Sequence, residues 1–300
     1  MSLRVWIWLL SLSVLWGGSF FFAKVAIGEL KPLTVVFARV SLAALALNAV
    51  LMMRRRSLFQ RSSPWPAYFA MGVLNNLLPF SLIFWGQTQI ASGLASILNA
   101  TTPLFTLVVA HLFTRDERIS GTKIAALLTG LVGVVFLIGP DLASDFVAGI
   151  GGQLACLAAA LSYAFAGVYG RRFQRAGIAA MEAAAGQVSA STVLILPIML
   201  TVDQPWTLEA APSLAVWSSL AALALLSTAL AYVLYFRILA VAGPTNLLLV
   251  TFLIPVTAIL LGTAFLRERL EPHHLAGMAV IGLGLVLLDG RLGKALRRAK

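Results

Sequence analysis

Residues 116–139 read DERISGTKIAALLTGLVGVVFLIG, and residues 267–290 read RERLEPHHLAGMAVIGLGLVLLDG. Laid over one another at an offset of 151, Glu117 falls on Glu268, Arg118 on Arg269, Ala125 on Ala276, Gly133 on Gly284 and Gly139 on Gly290. Pro103 meets Pro255 at 152, and Trp16, Phe22 and Lys24 meet Tyr163, Tyr169 and Arg171 at 147. A register that drifts by a few residues is what loop insertions produce. Apolar helices align with one another easily, so the prolines, the Glu-Arg pair and the glycines carry the weight. The chain reads as one unit used twice.

The unit is a set of membrane helices. A spanning helix needs about 20 mostly apolar residues, and ten segments meet that length: 5–26, 33–53, 65–87, 91–113, 119–138, 150–170, 179–201, 213–237, 243–266 and 272–289. With 60% hydrophobic and 11% charged residues, the chain has too few charges to coat a soluble globule of its size. The gaps are short and hold the Pro, Gly and charged residues, for example RRRSLFQRSSP at 54–64 and GPDLASD at 139–145, leaving no room for a soluble domain. The first segment lacks a small-x-small cleavage site and runs on through Phe20, Phe21 and Phe22, so it is expected as an uncleaved helix. The expected organisation is a first five-helix repeat over 1–145, a second over 146–290, and a basic tail over 291–300.

Orientation follows from Lys and Arg, which favour cytoplasmic loops. Alternate gaps collect seventeen on one side: Arg4; Arg54, Arg55, Arg56 and Arg61; Arg115, Arg118 and Lys123; Arg171, Arg172 and Arg175; Arg237; and five beyond residue 290. The other side holds Lys24, Lys31, Arg267 and Arg269, while Arg39 falls within the second helix. Both termini are expected in the cytoplasm. The net charge of +11 is then topology plus attraction to anionic headgroups, and implies no nucleic-acid partner. Because five is odd, the second repeat must cross the membrane in the opposite sense to the first. Inverted repeats generate two related conformations, one open to each side, with a substrate site near the midplane between them.

These features resemble the ten-helix EamA branch of the drug/metabolite transporter superfamily. The resemblance spans nearly the whole chain: SVLWGGSFFFAKVA in helix 1, PLTVVFARVSLAAL in helix 2, TPLFTLVVAHLFTRDERIS at the end of helix 4, its echo IPVTAILLGTAFLRERLEP in helix 9, and the Gly-rich helices 5 and 10. Within that branch the chain is similar to the YddG-type bacterial amino-acid exporters. The resemblance implies export of amino acids, purine-type metabolites or amphiphilic drugs from the cytoplasm, and the chain is expected as a monomer in the bacterial inner membrane. Helix 7 carries Gln187-Val188 where helix 2 carries Arg39, which puts a symmetric role for that arginine in doubt.

Polar residues deep in hydrocarbon are costly, so their positions point to a protein-lined cavity. Helix 3 carries Asn75, Asn76 and Gln87 around Pro79; helix 4 carries Asn99, Thr101 and Thr102 before Pro103; helix 9 carries Asn246 and Thr251 before Pro255. A proline lacks a donor and frees a carbonyl, so Pro79, Pro103 and Pro255 are expected as hinges. The same amides and hydroxyls could instead glue helices together. Aromatics supply a second surface: Trp16 with its repeat mate Tyr163, and Phe80, Phe84, Tyr232 and Tyr235 in matching stretches of helices 3 and 8. Core packing is the alternative for these, and Trp6, Trp65, Trp206 and Trp217, near segment ends, fit the interfacial belt. Arg39 is deep enough to want an interior partner or a substrate carboxylate, whereas Lys24 is expected to snorkel to the headgroups.

No carboxylate occupies a helix centre, which favours facilitated export over carboxylate-based proton coupling. His111 keeps a proton-coupled drug or metabolite antiporter open as the alternative, beside a nucleotide- or sugar-type carrier. Cys156 is a lone apolar cysteine, His273 and His274 are adjacent and cannot share a helix face, and no metal, cofactor or catalytic motif is present. An integral-membrane enzyme or a passive channel is the remote alternative. Helices 5 and 10, rich in glycine, are expected to pack together as scaffold.

Overall fold

The computed structural model describes residues 3–58, 63–113, 121–138, 145–235, 237–238, 241, 250–267 and 271–289. They form helices: α1 Leu3–Ala26, α2 Pro32–Met53, α3 Trp65–Gln87, α4 Ser92–Phe113, α5 Gly121–Ile138, α6 Asp145–Arg175, α7 Ala180–Val202, α8 Leu214–Tyr235, α9 Val250–Leu266 and α10 Pro272–Asp289. No strand occurs among the described residues. Seven of these helices, α1–α4, α6 over Gly149–Phe173, α7 and α8, are long and apolar enough to cross a membrane. Shorter apolar runs cover Leu253–Leu266 and Leu275–Gly284. Boundaries agree with the sequence expectation to within a few residues except for α6, which extends five residues beyond the expected 150–170 at each end; the starts expected at 119 and 243 lie outside the described residues, as do Asn246 and the tail 291–300.

Large apolar side chains on the bundle surface, such as Leu45, Val193 and Leu260, suit a hydrocarbon solvent. Trp6 and Trp206 are exposed at helix ends as an interfacial belt requires. Inside, small residues set the spacing. A Cβ on Gly17 of α1 would stand 2.6 Å from Thr257 Cβ of α9, and one on Gly86 of α3 would stand 2.8 Å from the Gly152 carbonyl of α6.

The pairings repeat themselves. α5 lies along α10 as the glycines predict, and α2 lies along α7. α1 packs on α9 as α6 packs on α4; α3 packs on α6 as α8 packs on α1; α3 meets α7 as α8 meets α2. Exchanging each helix of the first five for its counterpart in the second five maps these principal pairings onto one another.

α2 and α7 are tied at both ends. At one end the Asp203 carboxylate, just past α7, accepts from the Thr34 amide in the first turn of α2 at 2.7 Å and from the Thr34 hydroxyl at 2.9 Å. The Lys31 ammonium returns the bond, donating to the Asp203 carbonyl at 2.8 Å. Each helix end thus receives the charge that suits its dipole from the other helix. At the opposite end Arg56, just past α2, meets Glu182 in the first turn of α7 at 2.7 Å. Glu29 ties the α1–α2 loop to the start of α8, accepting from the Ser213 amide at 2.7 Å and its hydroxyl at 2.6 Å.

Candidate functional site

The site grows from a defect in α3. Residues Val73–Leu77 form a π-helical turn immediately before Pro79, and the Leu78 amide donates five residues back to the Val73 carbonyl. In that register the next amide should serve Leu74, but Pro79 has none. The Ser162 hydroxyl of α6 fills the gap, donating to the Leu74 carbonyl at 2.7 Å. The widened turn spans Asn75 and Asn76. α8 carries its own π segment, Ala222–Leu230, at the matching place in the second half. There the Thr228 hydroxyl bonds back to the Leu223 carbonyl at 2.9 Å, and the Ser227 hydroxyl donates to the Leu15 carbonyl of α1 at 2.6 Å. Such π turns concentrate at functional sites.

Arg39 of α2 reaches into this second π segment. Its Nε donates to Thr228 Oγ1 at 3.1 Å and its Nη1 to Ser19 Oγ of α1 at 2.9 Å. The guanidinium carbon sits 3.9 Å from the Phe80 ring centroid and 5.8 Å from that of Phe84, and these two rings stack at 6.3 Å. Tyr163 and Tyr232 lie within electrostatic range. The side chain is only 5% exposed, yet no carboxylate pairs with it among the described residues. A guanidinium held by hydroxyls and rings has its hydrogen-bonding needs partly met and its charge unanswered.

Across the bundle, Gln187 of α7 bridges the other way, into the π turn of α3. Its Oε1 accepts from Asn75 Nδ2 at 3.0 Å, and its Nε2 donates to the Tyr232 hydroxyl at 3.2 Å. Trp16 meets Tyr235 with ring centroids 5.8 Å apart. Trp16, Asn75, Tyr163, Tyr232 and Tyr235 are half-buried, while Arg39, Phe80 and Phe84 are buried. The structure thus gathers Trp16, Arg39, Asn75, Phe80, Phe84, Tyr163 and Tyr232 around the two π segments.

The other sequence candidates fall elsewhere. Asn76, fully buried, points into the α3–α7 seam and donates to Ser191 Oγ at 3.1 Å. Asn99 ends the first half of α4, and its Oδ1 has no hydrogen-bond partner among the described residues. α4 breaks at Ala100–Thr101, which places Pro103 at the start of the second half, whereas its repeat mate Pro255 lies inside an unbroken α9. Lys24 does not snorkel: its ammonium is 2.5 Å from the Gln87 carbonyl and 3.0 Å from that of Ile90, at the C-terminal end of α3. Ser19, Ser162 and Thr228 carry no signal in the sequence, because a lone hydroxyl in an apolar helix is ordinary there. Among the described residues no group of acids, histidines and cysteines could hold a metal.

The family model described as the EamA-like transporter family matches residues 3–139 and again residues 150–288. The chain is 26% identical over 287 residues to "Uncharacterized transporter YoaV" of Bacillus subtilis, covering 95% of this chain and 96% of that one. It is 28% identical over 294 residues to "Uncharacterized inner membrane transporter YedA" of Escherichia coli, covering 97% and 92%. A solved crystal structure, 20% identical, superposes on 95% of this chain and 96% of its own with a TM-score of 0.70, which establishes a shared fold. Two matches of one transporter model, with relatives covered almost end to end, leave one assignment: the chain belongs to the EamA-like transporter family of the drug/metabolite transporter superfamily, as a multi-pass inner-membrane protein.

Proposed function

We propose that this chain exports small carboxylate-bearing metabolites, amino acids foremost, by alternating access between two inverted five-helix repeats that together make ten crossings. Support for the repeats comes from the double match of the family model, the exchangeable helix pairings and the π segment present in both α3 and α8. The base distribution puts the Asp203 end outside and the Arg56 end in the cytoplasm.

The observation that carries the substrate reading is Arg39, buried between the halves with hydroxyl and ring partners and, among the described residues, no carboxylate. Burying an unanswered charge costs several kcal/mol, and a substrate carboxylate is the group that would answer it. The half-buried rings of Trp16, Tyr163, Tyr232 and Tyr235 would receive an apolar side chain without demanding one shape. The carboxylates Glu29, Glu182 and Asp203 are spent on tying helix ends, which favours flux down the substrate gradient over carboxylate-borne proton coupling.

The test is uptake into proteoliposomes of radiolabelled amino acids, sugars and nucleosides. Saturable flux with trans-stimulation marks a carrier. Flux of carboxylate substrates is expected to fall about tenfold or more in Arg39→Ala, the loss of a charge-assisted pair, and to recover in part in Arg39→Lys. Preference for sugars or nucleosides, untouched by Arg39→Ala, would sink the reading.

A further inference from the structure

Arg39 and Gln187 occupy corresponding positions, at an offset of 148, and each crosses to the π segment of the opposite half. Arg39 grips Thr228 within Ala222–Leu230; Gln187 grips Asn75 within Val73–Leu77. The chemistry at the two places is unlike. Nε and Nη1 of Arg39 are engaged, and Nη2 donates to no side chain or carbonyl among the described residues while not being sealed from solvent. At the other place, both bonds of the Asn75 side chain leave from Nδ2, toward Gln187 Oε1 at 3.0 Å and the Tyr232 hydroxyl at 3.5 Å. Its Oδ1 accepts nothing among the described residues and is likewise unsealed, in contrast to the sealed Oδ1 atoms of Asn76 and Asn99.

The amide orientation at Asn75 is set from outside. Gln187 directs its Nε2 to the Tyr232 hydroxyl and its Oε1 to Asn75, and an Asn75 amide facing that oxygen presents its NH2. The free oxygen is thereby turned away from the seam. We infer that Asn75 Oδ1, held in this orientation by Gln187, is the acceptor for a donor group on the substrate, so that the site takes a zwitterion with carboxylate on Arg39 and ammonium on Asn75. This rests on the carboxylate reading of Arg39 and adds a second pole to it. A free donor and a free acceptor, between walls of aromatic rings, match a molecule bearing one of each and an apolar side chain. A dianion would face the neutral amide with its second charge unanswered. A neutral sugar or an amine would leave Arg39 uncompensated. Gln187 is a positioning residue in this scheme, touching Asn75 rather than the substrate.

Three probes of one shape separate the poles: leucine, its deaminated analogue 4-methylpentanoate, and its decarboxylated analogue 3-methylbutylamine. Binding to the purified protein is read by ligand-induced thermal shift and by competition in proteoliposome counterflow. Leucine is expected to bind about tenfold tighter than 4-methylpentanoate, the worth of one hydrogen bond to a charged group, and the amine weakest. In Gln187→Leu the leucine affinity drops to that of 4-methylpentanoate, which itself stays within about twofold of its wild-type value because Arg39 is intact. Gln187→Glu keeps an oxygen facing Asn75 Nδ2 and restores the discrimination. Should Gln187→Leu fail to fold, Asn75→Ala is expected to show the same collapse. Equal binding of the two acids to the wild type, or discrimination that persists in Gln187→Leu and Asn75→Ala, overturns the inference and leaves the carboxylate reading standing. Failure of both acids to bind removes the carboxylate reading itself.

Discussion

At the scale of single residues, the ties at the helix ends make measurable claims about pH. Glu29 titrates below the ordinary 4.5 of a glutamate, because the Ser213 hydroxyl first, and the Ser213 amide second, donate to its ionised form. A carboxyl whose folded pKa is depressed contributes stability above its unfolded pKa, and that contribution drains away as pH falls through the folded value. The melting-temperature difference between wild type and Glu29→Gln is therefore expected to be constant from neutrality down to about 4.5 and to shrink below it. A difference that grows on acidification would mean that Glu29 is not held by Ser213. Arg39, the aromatic mates and Asn75 are legible in the sequence because charge, rings and amides are costly in hydrocarbon. Lys24 shows the limit: a lysine near a segment end reads as snorkelling, and nothing local says that the C-terminal end of α3 will stand beside it. Gln187 reads as a break in repeat symmetry, and only its bonds to Asn75 and Tyr232 give it work.

At the scale of elements, the π turn of α3 and the Ser162 bond stand as cause and remedy. Pro79 withholds the amide that Leu74 needs, and Ser162 supplies the donor from α6. Ser162→Ala in the wild-type background should leave the half-buried Leu74 carbonyl without this donor and cost about 1 kcal/mol. In a Pro79→Ala background the alanine amide is free to serve that carbonyl, so the same Ser162→Ala change should cost less than half as much. The two substitutions must then be non-additive in thermal melts, as coupled neighbours are. Additive costs would mean that Pro79 and the π turn are unrelated. Pro79, expected as a hinge, follows the π turn of α3, and Pro103 follows a break in α4. The π segment of α8 contains no proline; within it the Thr228 hydroxyl bonds back to the Leu223 carbonyl, while the Ser227 hydroxyl reaches across to the Leu15 carbonyl of α1. Pro255, the repeat mate of Pro103, leaves α9 unbroken, since a proline only permits a break and the surrounding packing decides whether it occurs.

At the scale of the whole molecule, the seven long apolar helices and the pairing of α5 with α10 are legible because the bilayer imposes a length and small residues mark close packing. The ties between α2 and α7 are not, because their partners are more than a hundred residues apart and share no local pattern. Their repeat relation still matters. Thr34 corresponds to Glu182 and Asp203 to Arg55 at an offset of 148, one residue from the Arg56 that makes the second tie, so the two ties occupy nearly corresponding places at opposite ends of α2 and α7. Their strengths differ. Asp203 is 5% exposed and joined by three hydrogen bonds, whereas Arg56 and Glu182 are 59% and 24% exposed at their side chains and form a pair of a kind worth about 0.2–1 kcal/mol. If the halves rock against each other, the end closed by the weaker tie opens more often, which by the base distribution is the cytoplasmic end, where the proposed export would load. The measurement is maleimide labelling of a Trp16→Cys thiol, with Cys156→Ser as background, in right-side-out and inside-out vesicles. Labelling should be faster from the cytoplasmic side. Asp203→Ala should move the ratio toward the outer side, because a loosened outer tie raises the outward-open population. Glu182→Gln should move it slightly the other way. An unchanged ratio in Asp203→Ala would mean that the outer tie plays no part in access, and a shift toward the cytoplasm would reverse the assigned faces.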